Sequence, residues 1–250
     1  MISINGITKR FGDITALDDV SLDVAAGQSL AVIGPAAAGK SVLLKLIAGL
    51  YAAESGQIRI DGVTVGTVEQ RDEKLNLRIG MLFQQNALFD SLSVWENIAF
   101  RLLMTGTPRD EARAVSESLL QKVGLPPETA ELFPSDLSGG MQKRVGFARA
   151  LATGADILLL DNPTAGLDPI LAARIDRMIT RLARDSGATV ISVTGNMVGI
   201  DEAYDEIAVL DKGRVKWRGP AGQAQTDPNP WLRQLVDGRR DGPIDVMAAG

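Results

Sequence analysis

An apolar run, Ser29–Ile33, stops at Gly34 and gives way to Gly34-Pro-Ala-Ala-Ala-Gly39-Lys40-Ser41, after which the pattern turns helical from Lys40 to about Leu50. Few backbone arrangements satisfy that order. A buried strand ends, a loop of small residues reverses the chain, and a helix opens on a lysine and a hydroxyl. The spacing G-x-x-x-x-G-K-[ST] predicts a phosphate cradle. Small side chains let backbone N–H groups wrap an oxyanion, and the helix N-terminus adds partial positive charge. In such a cradle Lys40 reaches the outer phosphates and the Ser41 hydroxyl ligates Mg²⁺. The bland alternative, a glycine turn with a solvated lysine, leaves the flanking strand and helix unexplained. Ala36, Ala37 and Ala38 fill the loop interior where glycine would turn more freely. An alanine held left-handed costs about 1–2 kcal/mol, so affinity should suffer without the site being lost.

The rest of the chain reads as α/β. Ile2, Ile4 and Ile7, then Leu17, Val20, Leu22 and Val24, alternate like strands, and Gln57–Asp61 and Ile79–Phe83 look like further strands. Roughly Ser93–Thr153 is helical; Thr107-Pro108 reads as a helix start, with Thr107 capping and Pro108 at the first helical position, and Gly124-Leu-Pro-Pro as its end. Ile157–Leu160, Ala188–Val193 and Asp205–Leu210 read as strands, with a helix over Ile170–Arg184 between the first two. Strands alternating with helices predict a largely parallel sheet. We expect one domain over residues 1–219, with a helical subdomain at about 93–153, and a C-terminal extension over 220–250 carrying one amphipathic piece, Trp231–Val236.

Composition removes several functions. Among 250 residues there is no cysteine and no histidine, which excludes disulfides, thiolate metal sites, a Cys nucleophile and the commonest general base. A net charge of −5 argues against binding nucleic acid by phosphate neutralisation. No stretch approaches the ~18–20 apolar residues that span a bilayer, and Met1–Arg10 lacks a signal-type apolar core. A cytosolic protein is expected, anchored by something else if it works at a membrane.

Ile157-Leu-Leu-Leu160-Asp161 brings an aspartate to the end of a buried strand, where α/β folds place their ligands. Shortly before it, Leu137-Ser138-Gly139-Gly140-Met141-Gln142 heads a helix with Lys143, Arg144 and Arg149. With that segment in place, the sequence resembles the ATP-binding subunit of an ABC transporter over nearly its whole length. The resemblance implies a P-loop NTPase core of ABC type, with an antiparallel β subdomain and a helical lobe. It also implies ATP and Mg²⁺ as cofactors. Phe11 falls where an aromatic stacks on adenine. Gly34, Pro35, Ala36, Ala37, Ala38, Gly39, Lys40, Ser41 and Val42 match the Walker A segment, and Gln84 matches the Q-loop glutamine. Ser138, Gly139, Gly140, Met141 and Gln142 match the signature, Asp161 the Walker B aspartate, and Ala165, Gly166, Leu167 and Asp168 the D-loop. Ser41, Gln84 and Asp161 are the implied Mg²⁺ contacts, direct or through water. Asp168 also precedes Pro169 and can simply cap a helix.

By the same resemblance two subunits meet head to tail, each ATP lying between one Walker A and the other's Ser138–Gln142. A homodimer is the expected form and a heterodimer the alternative. Met81–Phe89, Trp95–Ala99, Trp231–Gly238 and Gly242-Pro-Ile are similar to the Mla/Mce-associated ATPases of phospholipid-type transport. Those act on the bacterial inner membrane, at its cytoplasmic face, with a permease and an Mce-domain lipid-binding protein. Leu88, Phe89, Leu92 and Trp95 could form an apolar groove for the permease or pack the lobe. Trp231, Leu232 and Leu235 could pack on an opposite subunit.

Two positions depart from the family pattern. Asn162 stands where the family has a catalytic glutamate, and Gly195 where it has a switch histidine. An amide can hydrogen-bond a water but cannot take its proton, and glycine offers nothing. A slow ATPase is expected. The alternative is a degenerate pseudo-ATPase that clamps a dimer and completes a partner subunit's ATP site.

Overall fold

The computed structural model describes residues 1–85 and 87–245; Asn86, inside the Met81–Phe89 motif, and the last residues of the C-terminal extension lie outside the described residues. The first part of the chain forms β1 (Ile2–Phe11), β2 (Ile14–Val24), β3 (Ser29–Ile33), α1 (Lys40–Ile47), β4 (Ser55–Ile60) and β5 (Val63–Val65). The middle follows with α2 (Glu73–Arg78), β6 (Ile79–Leu82), α3 (Val94–Met104), α4 (Arg109–Lys122), α5 (Gly139–Leu151), β7 (Ile157–Asp161) and α6 (Pro169–Ser186). The last part holds β8 (Thr189–Val193), α7 (Ile200–Ala203), β9 (Glu206–Asp211), β10 (Arg214–Pro220) and α8 (Pro230–Val236). These elements gather into two compact units, one made of residues 1–72 with the chain from Thr189 onward, the other of Glu73–Ala188.

In the first unit an antiparallel sheet runs in the order β2-β1-β4-β5. Ile2 pairs Val24, Ile4 pairs Leu22 and Ile7 pairs Val20, and all six side chains are buried. Alternating apolar residues on both strands thus give one covered face, as their period of two predicts. A second set of strands has β3 between β8 and β9, parallel to both, with β10 antiparallel to β9. Leu30 through Ile33 and all of β8 are buried, the continuous apolar reading of parallel strands covered on both faces. The expected helix from Lys40 to Leu50 ends earlier, at Ile47, because Gly49 turns the chain at φ +77°.

The second unit pairs β6 and β7 in parallel, Ile79 opposite Ile157 and Leu82 opposite Leu160. α5 lies against β6 so closely that a Cβ on Gly80 would stand 2.1 Å from the Ala150 carbonyl oxygen. α3 opens with a capping box in which Ser93 and Glu96 bond each other's backbone N–H groups. α4 begins at Arg109, one residue later than the Thr107-Pro108 reading placed it: Pro108 is the N-cap with ψ 141°, and Thr107 makes no cap. The residue before a proline is pushed to extended backbone, which moves the helix start beyond it. Gly124 ends that helix at φ +69°. The class is α/β, with an antiparallel sheet and a helical part, as the sequence predicted.

Candidate nucleotide-binding site

The first unit carries the loop after β3. Gly34 stands at φ +151° and Gly39 at φ +99°. A Cβ at Gly34 would meet the Leu210 carbonyl oxygen at 1.9 Å, and one at Gly39 the Ala16 carbonyl oxygen at 2.3 Å. Both glycines are therefore required by close backbone approach as well as by φ. Between them Ala37 adopts φ +56°, the left-handed alanine. The Gly213 N–H donates to the Ala38 carbonyl at 3.1 Å, tying the loop to the turn between β9 and β10. Lys40 folds back over its own loop, donating to the carbonyls of Gly34 (2.9 Å) and Pro35. α1 has no acidic residue in its first turn, so its electropositive end is not neutralised from within the helix. Ser41 and Val42 are half-buried at that same end.

Phe11 closes β1 with 43% of its surface exposed. Its ring meets Tyr51 edge-on at 5.3 Å, and the Lys9 ammonium lies 5.1 Å from its centroid. An exposed aromatic of this kind can stack on a base. Gly195 follows β8 in an exposed irregular stretch without left-handed backbone, and a Cβ there would meet nothing within 4 Å. No steric demand accounts for this glycine. Asn196 is a turn residue, its Oδ1 accepting from the Val198 N–H at 3.1 Å.

The second unit carries the other motifs. Asp161 ends β7 and is buried, 3% exposed. Asn162 follows at φ +48°, a region asparagine tolerates, and its Nδ2 donates to Asp161 Oδ1 at 3.4 Å. Ser138 caps α5, its Oγ accepting from the Met141 N–H at 3.4 Å. Gly139 is exposed at the helix start, and α5 also lacks an acidic first turn. A Cβ on Gly140 would come within 2.7 Å of Leu171 Cδ2, and Gln142 Nε2 donates to the Pro134 carbonyl at 2.9 Å. In Ala165–Asp168 the Leu167 N–H donates to the Thr164 carbonyl at 3.3 Å while Gly166 turns at φ +80°. Asp168 caps α6, accepting from the N–H groups of Ile170 (3.1 Å) and Leu171 (2.9 Å).

One contact was not anticipated from sequence. Lys143 is 5% exposed and its Nζ donates to the backbone carbonyl of Gln84. Burial pushes this ammonium below the ordinary lysine range, and the Asp161 charge opposes that shift. Nearby, Arg149 Nη1 donates to the Ala87 carbonyl at 2.7 Å, and burial lowers this guanidinium too. The signal was present in the sequence: Gly140, Lys143 and Phe147 share a face by helical spacing, and all three are buried.

The proposed metal contacts offer a serine hydroxyl, a glutamine amide oxygen and one carboxylate. These are hard oxygen donors that suit Mg²⁺. Among the described residues no group of three or more His, Cys, Asp and Glu could hold a metal by itself.

The family profile described as ABC transporter matches residues 17–165. The chain is 37% identical over 247 residues to the probable ribonucleotide transport ATP-binding protein mkl of Mycobacterium leprae, covering 98% of this chain and 71% of that one. The chain belongs to the ABC transporter family. It is also 38% identical over 229 residues to the methionine import ATP-binding protein MetN of Mesorhizobium japonicum, covering 91% of this chain and 62% of the relative. Two solved ABC structures share the fold. The ATP-binding cassette MJ0796, in a dimeric post-hydrolysis state bound to ADP and Pi, is 30% identical with a TM-score of 0.78, over 88% of this chain and 99% of that one. CbiO1 from Clostridium perfringens, part of the ABC transporter complex cbiONQ, is 26% identical with a TM-score of 0.80, over 95% and 94%. ABC ATPases use ATP with Mg²⁺.

Of the two alternatives for Trp95, packing in the lobe describes most of its surface: it is 4% exposed, with the guanidinium carbons of Arg109 and Arg113 at 4.6 and 5.6 Å from its ring, and its remaining edge lines an open cavity of about 370 Å³ with Glu96, Arg109 and Arg113. Phe89 does remain 42% exposed, tilted against Phe100. In the tail, Leu232 is fully buried in this chain's own core with Ile33, Ile207 and Val209, and Trp231 and Leu235 pack against that cluster. The tail's apolar residues are largely consumed at home.

Proposed function

We propose that this chain is the ATP-binding subunit of a phospholipid transporter, working peripherally at the cytoplasmic face of the bacterial inner membrane. The observation that carries the ATP reading is the loop Gly34–Ser41, whose two glycines are demanded by backbone contact and whose lysine lies over the cradle. No helix among the described residues is long and apolar enough to cross a membrane, so a permease would supply the membrane part.

On this reading Lys40 exchanges the carbonyls of Gly34 and Pro35 for phosphate oxygens, while N–H groups of the loop and of the first turn of α1 hold the rest. Phe11 stacks on the base. Ser41, Gln84 and Asp161 would hold Mg²⁺, which when bound neutralises charge on the outer phosphates. The capped turn at Ser138–Gln142 serves the ATP of a second subunit, because it is a second helix N-terminus without acidic residues. Residues Ala165–Asp168 lie on the chain segment between Asp161 and α6, and Asp168 fixes their end by capping.

Hydrolysis on this reading is slow. Asn162 can hold a water by hydrogen bond and cannot accept its proton, and Gly195 has no side chain to hold the γ-phosphate. A positioned acid/base group contributes about 10²–10⁴ in rate. The same two residues favour a second reading, a degenerate subunit that clamps a dimer through ATP and lends Ser138–Gln142 to a competent, different partner.

The phospholipid assignment rests on the resemblance of Met81–Phe89, Trp95–Ala99 and the tail to Mla/Mce-associated ATPases. The relatives named for ribonucleotide transport and methionine import supply the competing substrates. Isolation of the tagged chain from its native membrane in detergent, with identification of its companions and bound small molecules, tests it. A permease with an Mce-domain protein and phospholipid supports the reading. Companionship with an amino-acid-binding or nucleotide-binding protein overturns the substrate. A second, distinct ATP-binding subunit in the complex selects the heterodimeric reading.

A further inference from the structure

Lys143 and Arg149 are the two α5 cations that reach backbone carbonyls of one short segment, those of Gln84 and Ala87. Gln84 and Ala87 are thereby each fastened through the main chain to α5. Ala87 is held in left-handed backbone at φ +47°, a conformation that an alanine does not adopt without external support.

The choice of residue is informative. Lys143 lies on the buried stripe of α5, where an apolar side chain would satisfy packing without desolvating a charge. A lysine in that place is accounted for by what its donor holds. It holds the main chain of Gln84 and leaves the glutamine side chain exposed, free to face a ligand. The same helix begins with Ser138, Gly139 and Gly140, so the cap and the glutamine are mounted on one rigid element.

We infer that Lys143 and Arg149 are positioning residues, a two-point clamp that fixes the main chain of the Gln84 segment on α5 so that the Gln84 side chain is presented to the Mg²⁺ of bound ATP. The inference rests on the ATP reading above and assigns the clamp no contact with nucleotide. Loss of either cation leaves the triphosphate cradle at Gly34–Ser41 intact and frees the glutamine from its register.

The test is the affinity for ATP with and without Mg²⁺, measured by isothermal titration on the full-length chain, together with its thermal melting. Lys143→Met keeps length and apolarity and removes the donor; Lys143→Arg restores one. In the unsubstituted protein Mg²⁺ tightens ATP binding. In Lys143→Met that tightening falls by about 10- to 100-fold, the effect of removing an outer-shell support of a metal ligand, while affinity without Mg²⁺ stays within about twofold. Lys143→Arg recovers it. A merely structural role would lower the melting temperature and both affinities together. Should Lys143→Met fail to fold, Arg149→Met carries the same expectation. Equal Mg²⁺ enhancement in the unsubstituted protein and in the folded variants overturns the clamp. Absence of ATP binding in the unsubstituted protein overturns the ATP reading instead, and the clamp with it.

Discussion

Asn162 donates its side-chain amide to the carboxylate of Asp161 at 3.4 Å, from left-handed backbone at φ +48°. The neighbouring carboxylate has thus gained a neutral hydrogen-bond donor where the family has a second carboxylate. This removes the like-charge repulsion of adjacent acids and the group able to take a proton from water. On the proposed reading this one position separates binding from hydrolysis: the phosphate loop does not depend on it, and turnover should.

The strain in the phosphate loop is local and can be relieved. Ala37→Gly should stabilise the protein by about 1 kcal/mol, the left-handed penalty of alanine less the glycine's greater unfolded freedom. Gly39→Ala should cost about 3 kcal/mol, because its Cβ would meet the Ala16 carbonyl oxygen at 2.3 Å. Urea denaturation of the two variants checks both signs. Two changes of similar size and equal sign would contradict the backbone account.

On the proposed reading Lys40 would contribute to ATP binding through a charge-assisted contact, worth about 1.5–3 kcal/mol. Lys40→Met should weaken ATP by about 10- to 100-fold. Its melting temperature without nucleotide should fall by no more than the loss of ordinary hydrogen bonds, such as those it donates to the Gly34 and Pro35 carbonyls, would bring. Titration with nucleotide reads the first effect and calorimetry the second.

The tail is part of the first unit's core. Leu232 is fully buried, and Trp231 Nε1 donates to the Asp211 carboxylate at 3.2 Å. Leu232→Ala should cost about 2–5 kcal/mol, and truncation at Gly219 should cost at least as much. If truncation changed the association of subunits while leaving the melting temperature in place, the tail would be an intersubunit arm.

Glu96 gives the helical unit an acid-sensitive contact. The Arg109 guanidinium at 2.5 Å holds its carboxyl below the usual range, helped by the Ser93 N–H and hydroxyl, with burial opposing. A depressed folded-state pKa adds stability that is full above the unfolded value and is lost as pH falls through the folded one. Glu96→Gln should therefore lower stability at neutral pH and flatten the acid limb of the stability profile below about pH 4.3. Equal losses at pH 7 and pH 3 would show that charge is not involved.

What the sequence revealed follows how local each signal is. The phosphate loop was legible because its glycines, lysine and serine are contiguous, and the strand and helix around it are fixed by short-range patterning. Asp168 was legible as a cap because Pro169 follows it. For Trp95 the sequence left a groove and packing in the lobe both open, because only tertiary packing brings Arg109 and Arg113 over its ring. Leu232 misled for the same reason: its neighbours Ile33, Ile207 and Val209 are distant in sequence. Lys143 was passed over as one charge in a basic helix, although its helical spacing with Gly140 and Phe147 places it on the buried face; what the sequence does not show is its partner, the Gln84 carbonyl.

The most direct measurement is steady-state Mg–ATP turnover of the purified chain beside Asn162→Glu/Gly195→His. Position 195 has room for a side chain: a Cβ there meets nothing within 4 Å. The account predicts slow turnover in the parent and a rate about 100-fold or more higher in the double variant, on the scale of one restored acid/base group. Equal and appreciable rates in the two proteins would contradict it, showing that water is activated by other groups and that Asn162 and Gly195 do not limit the chemistry.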